Sequence, residues 1–189
     1  MTETNKIRVA GLFGYIGSGK SSLVRSFLEI PGFNVIMKEE LTYEWFRKSY
    51  SDRDPKCYND VIKEELIKDP LFLMKLSYSK FLPGVINIFE SINTPNEAEL
   101  LLENSESILV GIWRKREERE KAILSGRIKT VTFDEPNSRD SFLSLDSRVN
   151  GYMHEGNCLY FMADEIIVNS KDFNYLRNNF IKTLGERWK

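Results

Sequence analysis

Short apolar runs alternate with longer amphipathic stretches along this chain. Short runs rich in β-branched and aromatic residues are typical of strands buried in a parallel sheet. The predicted strands are residues 7–13, 33–37, 85–89, 108–113 and 165–169. Helical spacing predicts one helix from about residue 21 to Pro31, and others at 41–50, 58–68, 69–81, 95–104, 141–150, 157–162 and 173–184. This alternation predicts an α/β fold, a three-layer α/β/α arrangement around a five-stranded, mainly parallel sheet in a single domain.

A glycine-rich segment joins the first predicted strand to the first helix. Residues 14–21 read GYIGSGKS and match G-x-x-x-x-G-K-[ST] at every fixed position, in the strand-before, helix-after context that a P-loop requires. Glycines allow a tight turn whose backbone N–H groups converge on phosphate oxygens, and the helix N-terminus adds partial positive charge. Lys20 would reach the β- and γ-phosphates, and the Ser21 hydroxyl would ligate Mg²⁺. The segment predicts nucleoside triphosphate binding; the alternative is a chance match in a turn.

Charged side chains follow three of the predicted strands. Because ligands of open α/β sheets bind at the carboxyl ends of strands, Glu39 and Glu40 are candidates after the second strand. Glu90 ends the third strand, where P-loop proteins hold the Walker-B carboxylate that supports Mg²⁺. Arg116 and Arg119, after the fourth strand, are candidate phosphate clamps. The simpler alternatives are a solvated loop after the second strand and a solvated helix with i,i+4 ion pairs after the fourth.

Two regions are candidates for substrate handling. Residues 125–140, which include Arg127, are polar and basic without clear periodicity, as in a mobile lid or an ordinary surface loop. Residues 41–82 form a helical region rich in aromatic side chains, among them Tyr43 and Trp45. These rings are interpreted either as packing between helices or as a wall for a stacked base.

Composition narrows the function classes. The chain has 189 residues, of which 41% are hydrophobic and 29% charged, which is ordinary for a globular domain. A net charge of −1 gives no electrostatic reason to expect nucleic acid or an anionic membrane as partner. One histidine argues against a His-based zinc site or a Ser-His-Asp triad. No signal-peptide core or stretch of transmembrane length is present in the sequence, so the cytoplasm is the expected compartment.

The order of these segments resembles nucleoside-monophosphate-kinase-type proteins. More narrowly, DPLFLMKLSYSKF (69–81) and VINIFESINTPNEAELL (85–101) are similar to phage-type deoxynucleoside monophosphate kinases. In that family the matching segment reads as a Pro-led helix, a strand, and then an Asp-Val-Arg-Phe-Pro-Asn-Glu-Ala-Glu stretch. The final ADEIIVNSKDFNYLRNNFIKTL (163–184) fits the same outline. The resemblance covers most of the chain in order, but only the P-loop and residues 95–99 match the family's sequence closely.

The resemblance implies an ATP-dependent phosphotransferase that converts a nucleoside or deoxynucleoside monophosphate to the diphosphate. Its cofactors would be ATP and Mg²⁺, and its partners small-molecule nucleotides. The expected catalytic residues are Lys20, Glu40, Glu90 and Arg119, with Glu39 as second choice for orienting the acceptor. The expected nucleotide-binding residues are Gly14, Tyr15, Ile16, Gly17, Ser18, Gly19, Lys20, Ser21, Ser22, Arg116 and Arg127, and the expected Mg²⁺ ligands are Ser21 and Glu90.

Three positions depart from the family pattern. The family's aspartate falls on Glu90, its arginine falls on Asn93, and Ser22 follows Ser21 where many phage enzymes carry an aspartate. Dephospho-coenzyme A kinases and archaeal adenylate-kinase-related proteins share the outline, and the Glu40 to Trp45 spacing is similar to that of deoxynucleoside kinases. These resemblances imply an alternative, a kinase whose acceptor is dephospho-coenzyme A or a nucleoside. The missing arginine also motivates another alternative, a nucleotide-binding regulatory protein without catalysis.

Overall fold

The structure is a computed structural model that describes residues 6–125 and 156–189. The predicted helix 141–150 and Arg127 lie outside these residues. So does the expected lid at 125–140, apart from Ser125.

Five strands and eight α-helices make up the described chain. The strands are β1 Arg8–Phe13, β2 Phe33–Met37, β3 Ile86–Glu90, β4 Glu106–Trp113 and β5 Glu165–Val168. The helices are α1 Lys20–Arg25, α2 Lys38–Ser49, α3 Tyr58–Lys68, α4 Phe72–Tyr78, α5 Pro95–Asn104, α6 Arg116–Leu124, α7 Gly156–Met162 and α8 Phe173–Arg187, with a 3₁₀ turn at Pro55–Cys57. None of the helices in these ranges has the length and apolar character needed to cross a membrane.

The strands form one sheet in the order β2-β3-β1-β4-β5. Every neighbouring pair is parallel, so the predicted sheet is confirmed, and it is wholly parallel within the described residues. Glu90 at the end of β3 stands opposite Leu12 of β1 and Met37 of β2. The carboxyl ends of the three strands therefore meet at one edge, where the glycine-rich loop also begins.

Helices cover both faces of the sheet. Alternate residues of β1 enter two buried clusters, because successive side chains of a strand point to opposite faces. One cluster joins Ala10 and Leu12 to α1 and α8, and the other joins Val9 and Phe13 to α4, α5 and α7. The result is the three-layer α/β/α P-loop fold predicted from the sequence.

Two helix boundaries correct the prediction near the site. The second helix is predicted to begin at residue 41, but Met37 leads directly into α2 and residues 38–40 form its first turn. Consecutive helical residues point in different directions, about 100° apart, so the three charged side chains separate. The first helix was expected to run to Pro31, but α1 ends at Arg25 and the chain continues in turns.

A third correction concerns the helix predicted from Asp69. Asp69 Oδ1 accepts a hydrogen bond from the Leu71 N–H at 3.0 Å, in a local turn typical of aspartate. The helix itself begins only at Phe72 and ends at Tyr78.

Candidate nucleotide-binding site

The glycine-rich loop has a backbone that side chains would disrupt. Gly14 and Gly19 have φ angles of 142° and 106°, which L-residues with side chains rarely adopt. A Cβ atom on Gly14 would lie 2.3 Å from the Ile112 carbonyl oxygen, and one on Gly19 would lie 2.6 Å from Asn169 Nδ2. The loop is therefore packed tightly against the ends of β4 and β5.

Asn169 anchors the loop from the end of β5. Its side chain is buried, and Nδ2 donates a hydrogen bond to the Ser18 carbonyl oxygen at 2.7 Å. Its own N–H donates to the Trp113 carbonyl at 2.7 Å, which fixes it to β4 as well. Sequence reasoning did not single out Asn169; the available signal was an asparagine directly after an apolar strand, at the edge where the loop lies.

Lys20 folds back over its own loop. Its Nζ donates to the Gly14 carbonyl oxygen and, at 3.3 Å, to that of Tyr15. Burial lowers the pKa of Lys20 to about 8, the carboxylate of Glu90 raises it, and the positive charge of Arg119 lowers it. With a pKa of about 8, Lys20 stays mostly charged at pH 7, and a bound anion would stabilise that charged form further.

Ser21 and Glu90 come together across the mouth of the loop. The exposed Ser21 hydroxyl donates a hydrogen bond to Oε1 of the buried Glu90 carboxylate. Mg²⁺ is typically bound by one or two carboxylates together with substrate phosphates and water. This hydroxyl and carboxylate suit such a partial site, and no cluster of three or more His, Cys, Asp or Glu side chains capable of holding a metal occurs in residues 6–125 and 156–189.

The two arginines predicted as phosphate clamps lie differently. Arg119 is buried, and its NH1 donates to the Ile16 carbonyl oxygen at 3.0 Å. Its guanidinium carbon lies 4.8 Å from the centroid of the Tyr15 ring. Arg116 is exposed at the start of α6. Arg119 thus contacts the loop directly, whereas Arg116 lies on the exposed surface of α6.

The two acids after β2 also separate. Glu40 is exposed and pairs with Arg25 of α1 at 2.9 Å. Glu39 is half-buried, and its Oε1 atom is buried. Desolvation raises the pKa of Tyr58 to about 12, and the negative charge of Glu39 contributes to that rise. The charge of Glu39 thus acts on Tyr58 of α3, whereas Glu40 lies at the surface. Which of the two acids orients the acceptor stays a prediction.

The aromatic side chains of residues 41–82 pack on one another. Trp45 meets Phe72 edge to face at 4.7 Å between ring centroids, and the fully buried Phe46 meets Tyr58 at 5.5 Å. These contacts join α2 to α3 and α4. Packing between helices accounts for most of the cluster, whereas Tyr43 keeps 43% of its surface exposed.

A cavity of about 610 Å³ opens beside the glycine-rich loop. Its walls come from the loop and α1, from the start and end of α6, and from the β5–α8 connection. The lining residues are Gly19, Ser22, Arg114, Glu118, Lys121, Ala122, Ser125, Asn169, Lys171, Asp172, Phe173 and Leu176. The cavity is continuous with the glycine-rich loop and carries both cationic and anionic side chains.

Comparison with known proteins supports the fold. A shikimate kinase from Acinetobacter baumannii in complex with shikimate matches with a TM-score of 0.55 and 12% identity over 97% of this chain and 96% of that chain. Shikimate kinases from Aquifex aeolicus (TM-score 0.55, 18% identity, 94% and 96% covered) and Bacteroides thetaiotaomicron (0.53, 13%, 95% and 98%) also match. No protein-family model and no curated protein matches the sequence. At sequence identities this low, the matches show that these chains share a fold, and nothing about their substrates.

Proposed function

We propose that this chain is an ATP-dependent phosphotransferase whose acceptor is a nucleoside or deoxynucleoside monophosphate. The contact between the Ser21 hydroxyl and the Glu90 carboxylate carries the proposal. It joins at one point the two side chains that a P-loop kinase uses around Mg²⁺. The likeness of fold to shikimate kinases supports a kinase that acts on a small molecule.

The donor would lie along the glycine-rich loop. Backbone N–H groups of residues 14–21 would bind the phosphates. Lys20 would replace its hydrogen bonds to the Gly14 and Tyr15 carbonyl oxygens with bonds to β- and γ-phosphate oxygens. Ser21 and Glu90 would hold Mg²⁺, which supplies charge neutralisation on the transferred group. The base and ribose would occupy the cavity beside Ser22 and Arg114, which is continuous with the loop.

The acceptor would lie at the carboxyl end of β2, on the same edge of the sheet as Glu90. Glu39 is the better-placed carboxylate, because it turns inward while Glu40 is paired at the surface. A carboxylate there would accept hydrogen bonds from a sugar hydroxyl or a base amine. The partly exposed ring of Tyr43 would offer a stacking surface beside it.

A coupled assay of ADP release across candidate acceptors tests the proposal. The panel contains ribo- and deoxyribonucleoside monophosphates, deoxynucleosides, dephospho-coenzyme A and shikimate. We expect turnover with one or a few monophosphates, and none in the Lys20→Ala variant. The proposal is wrong if no monophosphate gives ADP above that variant, and turnover with another acceptor would reassign the substrate.

A second candidate function is nucleotide-dependent regulation without catalysis. Asn93 stands where the kinases that this chain resembles carry an arginine, and its N–H is bound to Glu97 at 2.7 Å. This function requires ATP binding without turnover across the whole panel. Under it, Asn93→Arg would leave ADP release at background.

A further inference from the structure

A buried ion pair lies behind the end of β3. Lys38 Nζ is 2.5 Å from Glu97 Oε1, and the two side chains are 6% and 4% exposed. Lys38 begins α2 directly after β2, and Glu97 lies in the first turn of α5. Burying two charges costs free energy even when they are paired, and further hydrogen bonds are needed to offset that cost. The groups that supply those hydrogen bonds therefore indicate the role of the pair.

Both partners bind the backbone that follows Glu90. Lys38 Nζ donates to the Ser91 carbonyl oxygen at 2.9 Å, and the Asn93 N–H donates to Glu97 Oε2 at 2.7 Å. Between these residues, the Ile92 N–H donates to the Leu12 carbonyl of β1 at 2.9 Å. Three consecutive residues after Glu90 are therefore each fixed by a hydrogen bond.

The turn held in this way has an unusual backbone. Ser91 has a φ angle of 72°, a left-handed conformation that no other non-glycine residue shows in the described part of the chain. Such a conformation carries strain for a residue with a side chain, and it persists where surrounding contacts over-determine it. The ion pair supplies those contacts on either side of Ile92.

Residues 94–97 read Thr-Pro-Asn-Glu and match a capping box, but that role does not explain where the Glu97 carboxylate lies. Thr94 Oγ1 does accept a hydrogen bond from the Glu97 N–H at 3.3 Å, as a capping box requires. The Glu97 carboxylate, however, binds the Asn93 N–H and Lys38 rather than the Thr94 N–H. A glutamine would cap this helix equally well but would leave the charge of Lys38 without its counter-ion.

We propose that Lys38 and Glu97 are positioning residues that hold the Glu90 carboxylate against Ser21, and so set the Mg²⁺ dependence of nucleotide binding. The inference rests on the proposed function insofar as Glu90 supports Mg²⁺. Mg²⁺ demands near-ideal octahedral geometry, so small displacements of a supporting carboxylate weaken it. Glu90 is bonded directly to Ser91, and a turn that relaxes would move its carboxylate.

The test measures ATP affinity with and without Mg²⁺ in the double variant Lys38→Met/Glu97→Gln. This variant removes both charges, so it leaves no unpaired buried charge, and it keeps side chains of nearly the original length. We expect Mg²⁺-free ATP affinity close to wild type, and an affinity gain on adding Mg²⁺ that is smaller by about 10-fold or more, as is typical when outer-shell partners are lost. The matched control is Lys182→Met/Glu186→Gln, an exposed pair on α8.

A wild-type Mg²⁺ gain in the double variant would overturn the proposal and leave the pair a structural feature. Glu97→Asp provides a second test if the double variant does not fold, since it keeps the charge and shortens the arm. In Glu97→Asp the increase in ATP affinity on adding Mg²⁺ must be smaller than in wild type, while the affinity without Mg²⁺ is unchanged. An increase as large as in wild type would contradict the positioning role. Absence of turnover in the wild type would remove the proposed function but not this measurement. Absence of any Mg²⁺ gain in the wild type would overturn the positioning role.

Discussion

The guanidinium of Arg119 stacks on the ring of Tyr15, 4.8 Å from its centroid, while NH1 donates to the Ile16 carbonyl at 3.0 Å. One side chain of α6 thus contacts two consecutive residues of the glycine-rich loop. Its charge also acts on the site, because it lowers the pKa of Lys20. Arg119 therefore both contacts the glycine-rich loop and lowers the pKa of the lysine in that loop. A direct contact between Arg119 and a phosphate stays a prediction.

Replacement of Arg119 by methionine should loosen the loop and weaken ATP binding. Hydrogen bonds from charged groups contribute about 1.5–3 kcal/mol, so a loss of about 10-fold or more in affinity is expected. The pKa of Lys20 should rise, because a cation that lowers it is gone. Isothermal titration calorimetry measures the affinity. Arg177→Met is the matched control, since Arg177 lies over Phe27 at 5.3 Å, away from the loop. Equal affinities in the two variants would contradict this role.

ATP binding should take up a proton above pH 8. In the free protein the pKa of Lys20 is lowered to about 8, so the side chain is mostly neutral at pH 9. Bound triphosphate favours the ammonium form and raises that pKa, so affinity should fall as pH rises through 8, approaching about 10-fold per pH unit. Calorimetry at pH 9 in buffers of different ionisation enthalpy measures the uptake. Lys20→Ala should show none, and uptake of similar size in that variant would assign the proton elsewhere.

Asn169 should stabilise both the fold and the nucleotide complex. Asn169→Ala removes the hydrogen bond to the Ser18 carbonyl, which is worth about 1 kcal/mol and about 2–4 °C in Tm for a protein of this size. Asn169→Asp should lower the stability further, because an ionised carboxylate has no N–H to donate. It would place a second acceptor against the Ser18 carbonyl oxygen. Asn179→Ala removes a similar hydrogen bond on the exposed side of α8 and is the control. Thermal unfolding with and without ATP gives the comparison, and an aspartate variant as stable as wild type would refute it.

Glu39 and Glu40 should differ in their effect on the acceptor. Glu39→Gln is expected to raise the acceptor KM or lower kcat by at least about 10-fold, as for loss of a charged hydrogen-bond partner in a site. Glu40→Gln removes an exposed ion pair worth about 0–1 kcal/mol and should leave both constants near wild type. Steady-state kinetics against acceptor concentration decides, and the opposite order would return the role to Glu40. Spectrophotometric titration gives a second readout, since Glu39→Gln should lower the pKa of Tyr58.

Much of the fold was predictable because it depends on local patterns. Alternating strands and helices predicted all five strands, and the loop motif placed Lys20 and Ser21. The acid at the end of β3 could be paired with Ser21 in advance, since parallel strands bring their carboxyl ends to one edge. These inferences need only periodicity, glycine positions and the geometry of a parallel sheet.

The directions of individual side chains were not predictable in this way. Whether residues 38–40 formed a loop or a helical turn decided which of Lys38, Glu39 and Glu40 became buried, and no local signal marked that boundary. Asn169 gained its role only because β5 packs beside β4, where the loop lies.

By itself, the sequence determined the parallel α/β architecture and the position of the glycine-rich loop, because both follow from short-range spacing of apolar residues and glycines. Tertiary structure decided which charged side chains pair with one another and which contact that loop. Lys38 meets Glu97 across 59 positions, and Arg119 meets Ile16 across 103. Contacts over such separations arise from the packing of whole elements, so residue spacing along the chain does not reveal them.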